Sequence, residues 1–341
     1  MPTMRAFVIT GPQQAQVMEV PTPVARPGEV VVSVERVGVC GTDVAFFTGE
    51  MPFLHDGNAK YPMRIGHEWM GIVSSVGRPE DDGWLGQRVT GDTMLGCRQC
   101  SRCTAGRQHL CADRLEVGVR GGKDGALAEQ VCVPVTSLFA LPDIVDATAG
   151  ALVEPAGNAW RSVQAAQVHA GSRVLIIGPG TIGLLAALFA RADGVEVHLL
   201  GRSERSLNFA RSLGFADVWT EETLPDLPFD AVINASTSGD VPARAVELVE
   251  PGRRVVYVGL AGSGSTVDSR SLVFKDITAI GILSGSPGTT QTIAAFADGA
   301  VDPRPLVAAT VGLSEIGAIL AGTRPRTASA APKFHVDPRL D

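Results

Sequence analysis

The sequence predicts an α/β protein in which a doubly wound parallel sheet accompanies a second, β-rich domain. In the middle of the chain, continuous β-branched runs such as Arg173–Ile177 alternate with helix-like stretches, a pattern typical of parallel strands covered on both faces. From Met4 to about Pro134 the apolar runs are short, and glycine, proline and aspartate separate them, as in a compact β domain. A chain of 341 residues is long enough for two domains with separate cores.

The β-rich domain is predicted to span 1–148 and to be completed by 288–341, because the pattern returns to mixed structure after about Pro287. The sheet domain is predicted to span 149–287. Strand-like runs of the first domain are 29–35, 71–77 and 127–134. The second domain is predicted to contain, in order, helix 146–165, strand 173–177, helix 181–191, strand 195–200, helix 203–213 and strands 231–235, 254–258 and 277–283.

Composition excludes several classes of protein. Hydrophobic residues make up 45% of the chain, charged residues 19%, and the formal net charge is −7. With no run of lysine or arginine, these values argue against a nucleic-acid partner. The longest apolar stretch, Val174–Ala190, is interrupted by glycine and proline, which argues against a membrane span. The N-terminus lacks the apolar core and cleavage site of a signal peptide, so we expect a cytoplasmic protein.

Four of the six cysteines are clustered as C-x2-C-x2-C-x7-C, at Cys97, Cys100, Cys103 and Cys111. Four thiolates at this spacing can surround one tetrahedral Zn²⁺ completely, which is typical of a structural zinc site. Disulfides are the alternative, but they require an oxidising compartment. A zinc ribbon that binds nucleic acid is a second alternative, which the acidic residues before the cluster and its scattered arginines disfavour.

A second, open metal site is predicted from Cys40 and His67, each of which follows a strand-like run. A catalytic zinc takes three protein ligands and leaves one position for water or substrate. Glu68 and Glu154 are the candidates for the third ligand. The alternative for Cys40 alone is a small buried apolar side chain, and for Glu154 alone a solvated helix face.

The third chemical motif is Gly178-x-Gly180-x-x-Gly183, which follows a buried strand and opens a helix near Thr181. In that context the glycines permit a tight turn, close approach to a pyrophosphate and close packing of helix against strand. The helix N-terminus offers free N–H groups to the phosphates. Thr181 and Ile182 belong to this predicted dinucleotide loop. The alternative is a glycine-rich turn without a ligand.

The residues after the next strand indicate which dinucleotide is bound. An NAD-binding loop is expected to carry Asp or Glu there, but this strand ends in Gly201-Arg202-Ser203-Glu204-Arg205. Arg202, Ser203 and Arg205 can hold a ribose 2′-phosphate by charge-assisted hydrogen bonds, so NADP(H) is favoured over NAD(H). The alternative is a set of solvated charges, with Glu204 partly offsetting the arginines.

Taken together, these motifs resemble those of the zinc-containing medium-chain dehydrogenases and reductases of the alcohol dehydrogenase superfamily. The resemblance extends over nearly the whole chain and is strongest to the branch of polyol, sorbitol, glucose and threonine dehydrogenases. It rests on the four-cysteine cluster together with Val39–Asp43, Gly66–Gly71, Val153–Pro155 and Gly178–Gly183. The resemblance implies a GroES-like catalytic domain with a structural zinc lobe, a Rossmann cofactor domain, and a homodimer or homotetramer built on the cofactor domains.

The same resemblance implies roles for individual residues. Cys40, His67 and Glu68 would be ligands of the catalytic zinc, and Glu154 would be a ligand or one water away. Asp43 would orient a ligand imidazole. Thr42 would pass the substrate proton towards the nicotinamide ribose, and Asn158 would face the nicotinamide ring and the substrate.

The sequence departs from the family after Asp43, where Val44–Phe47 contains no titratable group. The proton relay would then end in solvent, in Glu68 or Glu154 with water, or in His55. Phe46, Phe47, Phe53 and Trp69 could line part of the substrate pocket, or simply pack in the core.

The predicted function is a zinc-dependent, NADP(H)-linked oxidoreductase of a secondary alcohol or ketone of polyol, sugar or amino-cyclitol type. One alternative is an enzyme that acts on apolar or aromatic aldehydes and alcohols. An alternative of another class is a non-catalytic sensor that binds zinc and NADPH.

Overall fold

The structure is a computed structural model that describes residues 2–340. The strands are β1 (Thr3–Gly11), β2 (Gln14–Pro21), β3 (Glu29–Val39), β4 (Met63–Arg64), β5 (Glu68–Val76), β6 (Arg88–Gly91), β7 (Met94–Leu95), β8 (Leu115–Glu116), β9 (Gln130–Pro134), β10 (Leu138–Ala140), β11 (Arg173–Ile177), β12 (Glu196–Leu200), β13 (Val218–Trp219), β14 (Phe229–Asn234), β15 (Val249–Tyr257), β16 (Thr278–Gly281), β17 (Val307–Val311) and β18 (Lys333–Val336). The helices are α1 (Gly41–Thr48), α2 (Pro52–His55), α3 (Ser101–Thr104), α4 (Ala147–Ala151), α5 (Val153–Ala166), α6 (Thr181–Ala192), α7 (Glu204–Ser212), α8 (Val241–Leu248), α9 (Ser269–Phe274), α10 (Thr289–Ala297) and α11 (Ile316–Leu320).

The chain divides into two compact units. The first comprises Met1–Glu154, Val307–Ser329 and Lys333–Asp341, and the second comprises Pro155–Leu306 and Ala330–Pro332. This division differs from the limits predicted from the sequence, above all in that 288–306 belongs to the second unit. Packing accounts for the difference, because Phe296 of α10 stacks on Phe189 of α6 with ring centroids 6.5 Å apart.

The first unit is built around a seven-stranded sheet with the order β10-β6-β5-β3-β18-β17, in which β9 also pairs with β3. The central strand β3 pairs antiparallel with both β5 and β18, and Gly38 lies opposite Glu68 on one side and His335 on the other. The strands of this sheet therefore bring the end of β3, the start of β5 and the distant strand β18 to one place. The core includes the fully buried Phe46 and Trp69.

The second unit contains a six-stranded sheet, β13-β12-β11-β14-β15-β16, in which every neighbouring pair is parallel. Its central strands β11 and β14 are buried along most of their length, as Val174–Ile177 illustrate, which is typical of parallel strands covered by helices on both faces. Strand order reverses between β11 and β14, and ligands bind at such a point in open α/β sheets. The predicted doubly wound fold is confirmed, and the glycine loop follows β11 at this reversal.

One predicted helix is divided in two. The single helix predicted over 146–165 consists of α4 and α5, with Leu152 between them. Pro155 has no backbone N–H and is accommodated in the first turn of α5, where that donor would have no helical partner. Among residues 2–340, none of the helices combines the length and apolar character needed to cross a bilayer.

Candidate metal centres and dinucleotide loop

The four clustered cysteines converge in space. Their sulfur atoms lie within 4.8 Å of one another, with Cys100 Sγ 3.8 Å from Cys111 Sγ. The backbone N–H of Cys97 donates to Cys111 Sγ at 3.4 Å, and that of Cys100 donates to Cys97 Sγ at 3.4 Å. All are free thiols. Four sulfur donors with backbone N–H groups directed at them fit a closed tetrahedral zinc site.

The protonation of these thiols is uneven. Backbone N–H groups of Gln99 and Cys100 lower the pKa of Cys97 to about 6. Burial raises the pKa of Cys103 to about 11. The thiolate is the metal-binding form. The lowered pKa of Cys97 therefore favours its metal-binding form without a cation, whereas Cys103 ionises at neutral pH only when a cation binds.

Cys40, His67 and Glu68 form the second group, with one ligand atom from each lying within 4.8 Å of the others. Cys40 immediately precedes α1 and serves as its N-cap, while Glu68 is the first residue of β5 and His67 immediately precedes it. His67 and Glu68 are buried and Cys40 is half-buried. A sulfur, an imidazole nitrogen and a carboxylate oxygen held this close fit zinc with one coordination position left open.

Asp43 joins the elements of this group. Its Oδ2 accepts the backbone N–H of Cys40 at 2.8 Å, and its Oδ1 accepts that of Gly66 at 3.3 Å. Oδ1 also lies 3.7 Å from His67 Nδ1, and that nitrogen has no hydrogen-bond partner among the described residues. Burial raises the pKa of Asp43. Burial alone would lower the pKa of His67, but Asp43 and then Cys40 outweigh it and raise that pKa well above its ordinary value.

Lys333 is a member of this site that sequence reasoning missed. Its Nζ lies 2.8 Å and 2.7 Å from the two carboxylate oxygens of Glu68 and donates to the carbonyl oxygen of Val39 at 3.0 Å. The side chains of Lys333 and Glu68 are 4% and 1% exposed, so the ion pair is almost fully desolvated. Burial opposes the charge of Lys333, but Glu68 and then Cys40 raise its pKa.

No local signal marks Lys333, because it meets Glu68 only through the pairing of β18 with β3. Gly38 completes this arrangement. A Cβ at Gly38 would overlap Glu68 Oε2, so the absence of a side chain lets the carboxylate lie over β3 and reach Lys333.

Thr42, Glu154 and Asn158 are the remaining residues predicted for the catalytic chemistry, and each has contacts of its own. Thr42 Oγ1 is 3.8 Å from Cys40 Sγ. Within the described part of the chain, Glu154 stands outside the group of three, although its charge contributes to raising the pKa of His67. Asn158 lies one turn further along α5, and its carbonyl oxygen accepts the hydroxyl of Ser162 at 2.8 Å.

The aromatic side chains and His55 make contacts of other kinds, in the core of the first unit or at its surface. Phe46, Phe47 and Trp69 are buried in the first unit, and Arg120 lies over the ring of Phe53 at 5.8 Å. His55 is exposed, and its Nε2 lies 3.1 Å from the carbonyl oxygen of Gly49.

The glycine loop shows why its positions need glycine. Gly178 has a φ of 98°, and a Cβ there would lie 2.9 Å from the backbone nitrogen of Ser236. A Cβ at Gly183 would overlap the carbonyl oxygen of Gly178. Gly180 is the N-cap of α6, and nothing lies within 4 Å of the place where its Cβ would be. The space beside Gly180 is therefore open at the end of α6 where the first N–H groups, including those of Thr181 and Ile182, have no helical partner.

Beside the loop lies a cavity of about 580 Å³ within the second unit. Its lining includes Gly178, Arg202, Ser203 and Arg244 but not Arg205. Arg202 Nη2 is 2.5 Å from Asp240 Oδ2, while Arg244 Nε is 2.6 Å from a carboxylate oxygen of Glu221.

Comparison with known proteins places these motifs in context. Residues 26–143 match the alcohol dehydrogenase GroES-like domain, and residues 181–299 match the zinc-binding dehydrogenase domain. An L-threonine 3-dehydrogenase of Sinorhizobium fredii is 30% identical over 323 residues, which cover 91% of this chain and 92% of that protein.

Two solved structures are similar over nearly their whole length. A protein of Sinorhizobium meliloti 1021 described as a zinc-binding dehydrogenase, solved with NADP bound, is 27% identical with a TM-score of 0.88; the match covers 99% of this chain and 100% of that one. Galactitol-1-phosphate dehydrogenase of Escherichia coli is 25% identical with a TM-score of 0.86, over 98% of this chain and 100% of that one.

Proposed function

This chain belongs to the zinc-containing medium-chain dehydrogenase/reductase family, and from that premise we propose that it is an NADP(H)-linked enzyme of polyol, sugar or amino-cyclitol substrates. It would interconvert a secondary alcohol and its ketone, with hydride exchanged at the nicotinamide and one proton released on oxidation. The observation that carries the proposal is the group of Cys40, His67 and Glu68, whose three ligand atoms lie within 4.8 Å of one another and would leave one position of a tetrahedral zinc open.

The three side chains would hold the catalytic zinc, which when bound acts as a Lewis acid on the substrate oxygen. Asp43, fixed by two backbone N–H groups, would accept the Nδ1 proton of His67 and so orient the imidazole. Lys333 would hold Glu68 in place and balance its charge. Thr42 Oγ1 is the group that would accept the substrate hydroxyl proton and pass it on.

The four-cysteine lobe would hold a second, structural zinc through Cys97, Cys100, Cys103 and Cys111. Since four sulfur atoms fill the tetrahedron, this lobe would have no part in the chemistry.

The polyol or sugar class is favoured over apolar aldehydes by the placement of the aromatic residues. Phe46, Phe47 and Trp69 are buried in the core of the first unit, where they offer little exposed apolar surface to a substrate. Relatives named for L-threonine and galactitol-1-phosphate act on secondary alcohols that carry further polar groups. A screen of sugars, polyols and amino alcohols against aryl aldehydes separates the two classes. Cofactor binding without turnover on any alcohol would instead support the sensor alternative.

NADP(H) preference is supported by the residues after β12. No carboxylate occupies the position expected for NAD binding, and Arg202 and Ser203 line the cavity beside the loop. Arg205 lies outside that lining, so we propose that Arg202 and Ser203 would hold the 2′-phosphate.

The test is a titration of NADP⁺ and NAD⁺ against the wild type, Arg202→Ala and the matched control Arg205→Ala. Arg202→Ala is expected to weaken NADP⁺ binding about tenfold or more and NAD⁺ binding little, because charge-assisted hydrogen bonds to phosphate are strong. Arg205→Ala is expected to change neither. Equal losses for both nucleotides in Arg202→Ala, or tighter NAD⁺ binding by the wild type, would contradict the NADP(H) assignment.

A homo-oligomer built on the second unit is also proposed. Strand β16 ends the six-stranded sheet, and the helix before it exposes Val273 and Phe274 at 77% and 85%. An unpaired edge beside exposed apolar side chains suits pairing with a second copy. Phe274→Glu is expected to shift sedimentation towards the monomer, and an unchanged mass would oppose this interface.

A further inference from the structure

Arg202, the side chain best placed for a ribose 2′-phosphate, already holds an anion. Its Nη2 lies 2.5 Å from Asp240 Oδ2, and its Nη1 donates to Ser238 Oγ at 3.0 Å. The hydroxyl of Ser238 donates in turn to Asp240 Oδ1 at 2.6 Å. The guanidinium thus donates to a carboxylate oxygen and a hydroxyl oxygen, which are acceptors of the kind that a phosphate would supply.

Asp240 comes from a different part of the sheet from Arg202. Arg202 follows β12, whereas Asp240 stands immediately before α8, after β14. Both line the cavity beside the glycine loop. Asp240 therefore reaches the place where a phosphate would bind, although it is not the acidic residue at the end of β12 that NAD-binding loops use.

Arg244, the second arginine that lines the cavity, is also paired with carboxylates and so is not a free cation for a phosphate. Arg244 Nε is 2.6 Å from Glu221 Oε1, and its Nη1 is 3.0 Å from Glu247 Oε2. The described lining thus contains two arginines and three carboxylates, and both guanidinium groups have an acidic partner. A 2′-phosphate that binds Arg202 therefore competes with Asp240 for this guanidinium.

We propose that Asp240 is an internal competitor of the 2′-phosphate and sets the ratio of NADP(H) to NAD(H) affinity. The proposal rests on the proposed cofactor function and adds a specificity-determining residue to it. The Arg202 and Asp240 side chains are 72% and 68% exposed. Exposed ion pairs are weak, so a phosphate dianion can displace the carboxylate. Breaking the pair still reduces the free energy that the 2′-phosphate contributes to binding. NAD(H), which lacks the phosphate, leaves the pair intact.

Removal of this carboxylate should therefore act on one nucleotide only. Asp240→Asn is expected to tighten NADP⁺ binding about three- to tenfold and to leave NAD⁺ binding within about twofold. In the Arg202→Ala background the same substitution should have no selective effect, because the guanidinium for which Asp240 and the phosphate compete is absent.

The experiment is a calorimetric titration of the zinc-loaded protein with each nucleotide, for the wild type, Asp240→Asn, Arg202→Ala and the double variant. Glu247→Gln is the matched control, since it removes one charge from the same cavity but from a partner of Arg244. Thermal unfolding without nucleotide checks that each variant is folded.

An NADP⁺-selective gain in Asp240→Asn alone supports the proposal. An equal gain in Glu247→Gln, or equal gains for both nucleotides, would overturn it in favour of a general effect of charge. The cofactor assignment is tested by a different result, since a wild type that prefers NAD⁺ refutes NADP(H) preference. In that case an NADP⁺-selective increase in the affinity of Asp240→Asn would still support Asp240 as a competitor. Binding of neither nucleotide by any variant would end both.

Discussion

The two groups of candidate zinc ligands in the first unit are built in opposite ways. The four cysteines of the lobe lie within fifteen residues of one another, from Cys97 to Cys111, and three are only half-buried. Cys40, His67 and Glu68 come from two separate segments, and a lysine 265 positions from Glu68 completes the charge balance. A closed site can be formed by one short loop that supplies all four ligands. An open site needs a rigid framework that fixes three ligands and leaves the fourth coordination position free for water or substrate.

The largest expected effect separates the two sites by removing one ligand of the open site. Cys40→Ala is expected to lower kcat/KM about a thousandfold, since zinc contributes several kcal/mol of transition-state stabilisation. Metal analysis should find zinc falling from two ions per chain to one. Cys132→Ala is the control, because burial raises the pKa of that thiol to about 11 and it lies in neither group. Unchanged zinc content and activity in Cys40→Ala would remove the basis for an open metal site.

The next effect concerns the framework of the open site. Lys333→Met leaves the buried Glu68 carboxylate without its counter-charge, and we expect kcat/KM and zinc affinity to fall about 10- to 100-fold. Lys333→Arg should recover part of the loss. Adding Glu68→Gln should restore thermal stability relative to Lys333→Met alone, because the unpaired charge is gone. Independent, additive effects of the two substitutions would show that the pair is not coupled.

A smaller effect on activity is expected at the closed site. Cys103→Ser should remove the structural zinc and lower the unfolding midpoint by about 10 °C, because binding energy of a structural metal is folding energy. Turnover per folded molecule should stay within about twofold of the wild type. A loss of turnover as large as that of Cys40→Ala would abolish the distinction between the two sites.

The smallest effect is one of reactivity within the lobe. In protein stripped of zinc at pH 7, Cys97, with its pKa near 6, is mostly thiolate, while Cys103, near 11, is protonated. Alkylation followed by mass spectrometry should therefore label Cys97 first. Labelling of Cys103 should rise only as the pH approaches about 11, and added zinc should protect both. Equal rates at pH 7 would contradict the role of the backbone N–H groups.

Local motifs explain how much could be predicted from the sequence. The cysteine cluster and the glycine loop each act over a few residues, within reach of one ion or one phosphate, so their spacing indicates their chemistry. The roles expected for Cys40, Thr42 and Asp43 came instead from the resemblance to the family. The parallel sheet was predictable as well, because strands buried on both faces must be apolar throughout. The predicted helix over 146–165 missed a break because Pro155 is compatible with a helix start as well as with its interruption.

The amino-acid sequence alone specifies the set of donor residues and the fold that presents them. Tertiary structure alone decided their partners: Lys333 for Glu68 through the pairing of β18 with β3, and Asp240 rather than a free phosphate site for Arg202 through the order of β12, β11 and β14. The physical reason is that a charge placed in a sequence has no fixed neighbour. Strand order and register bring distant groups within hydrogen-bond distance, and only there do burial and Coulomb attraction select which charges pair.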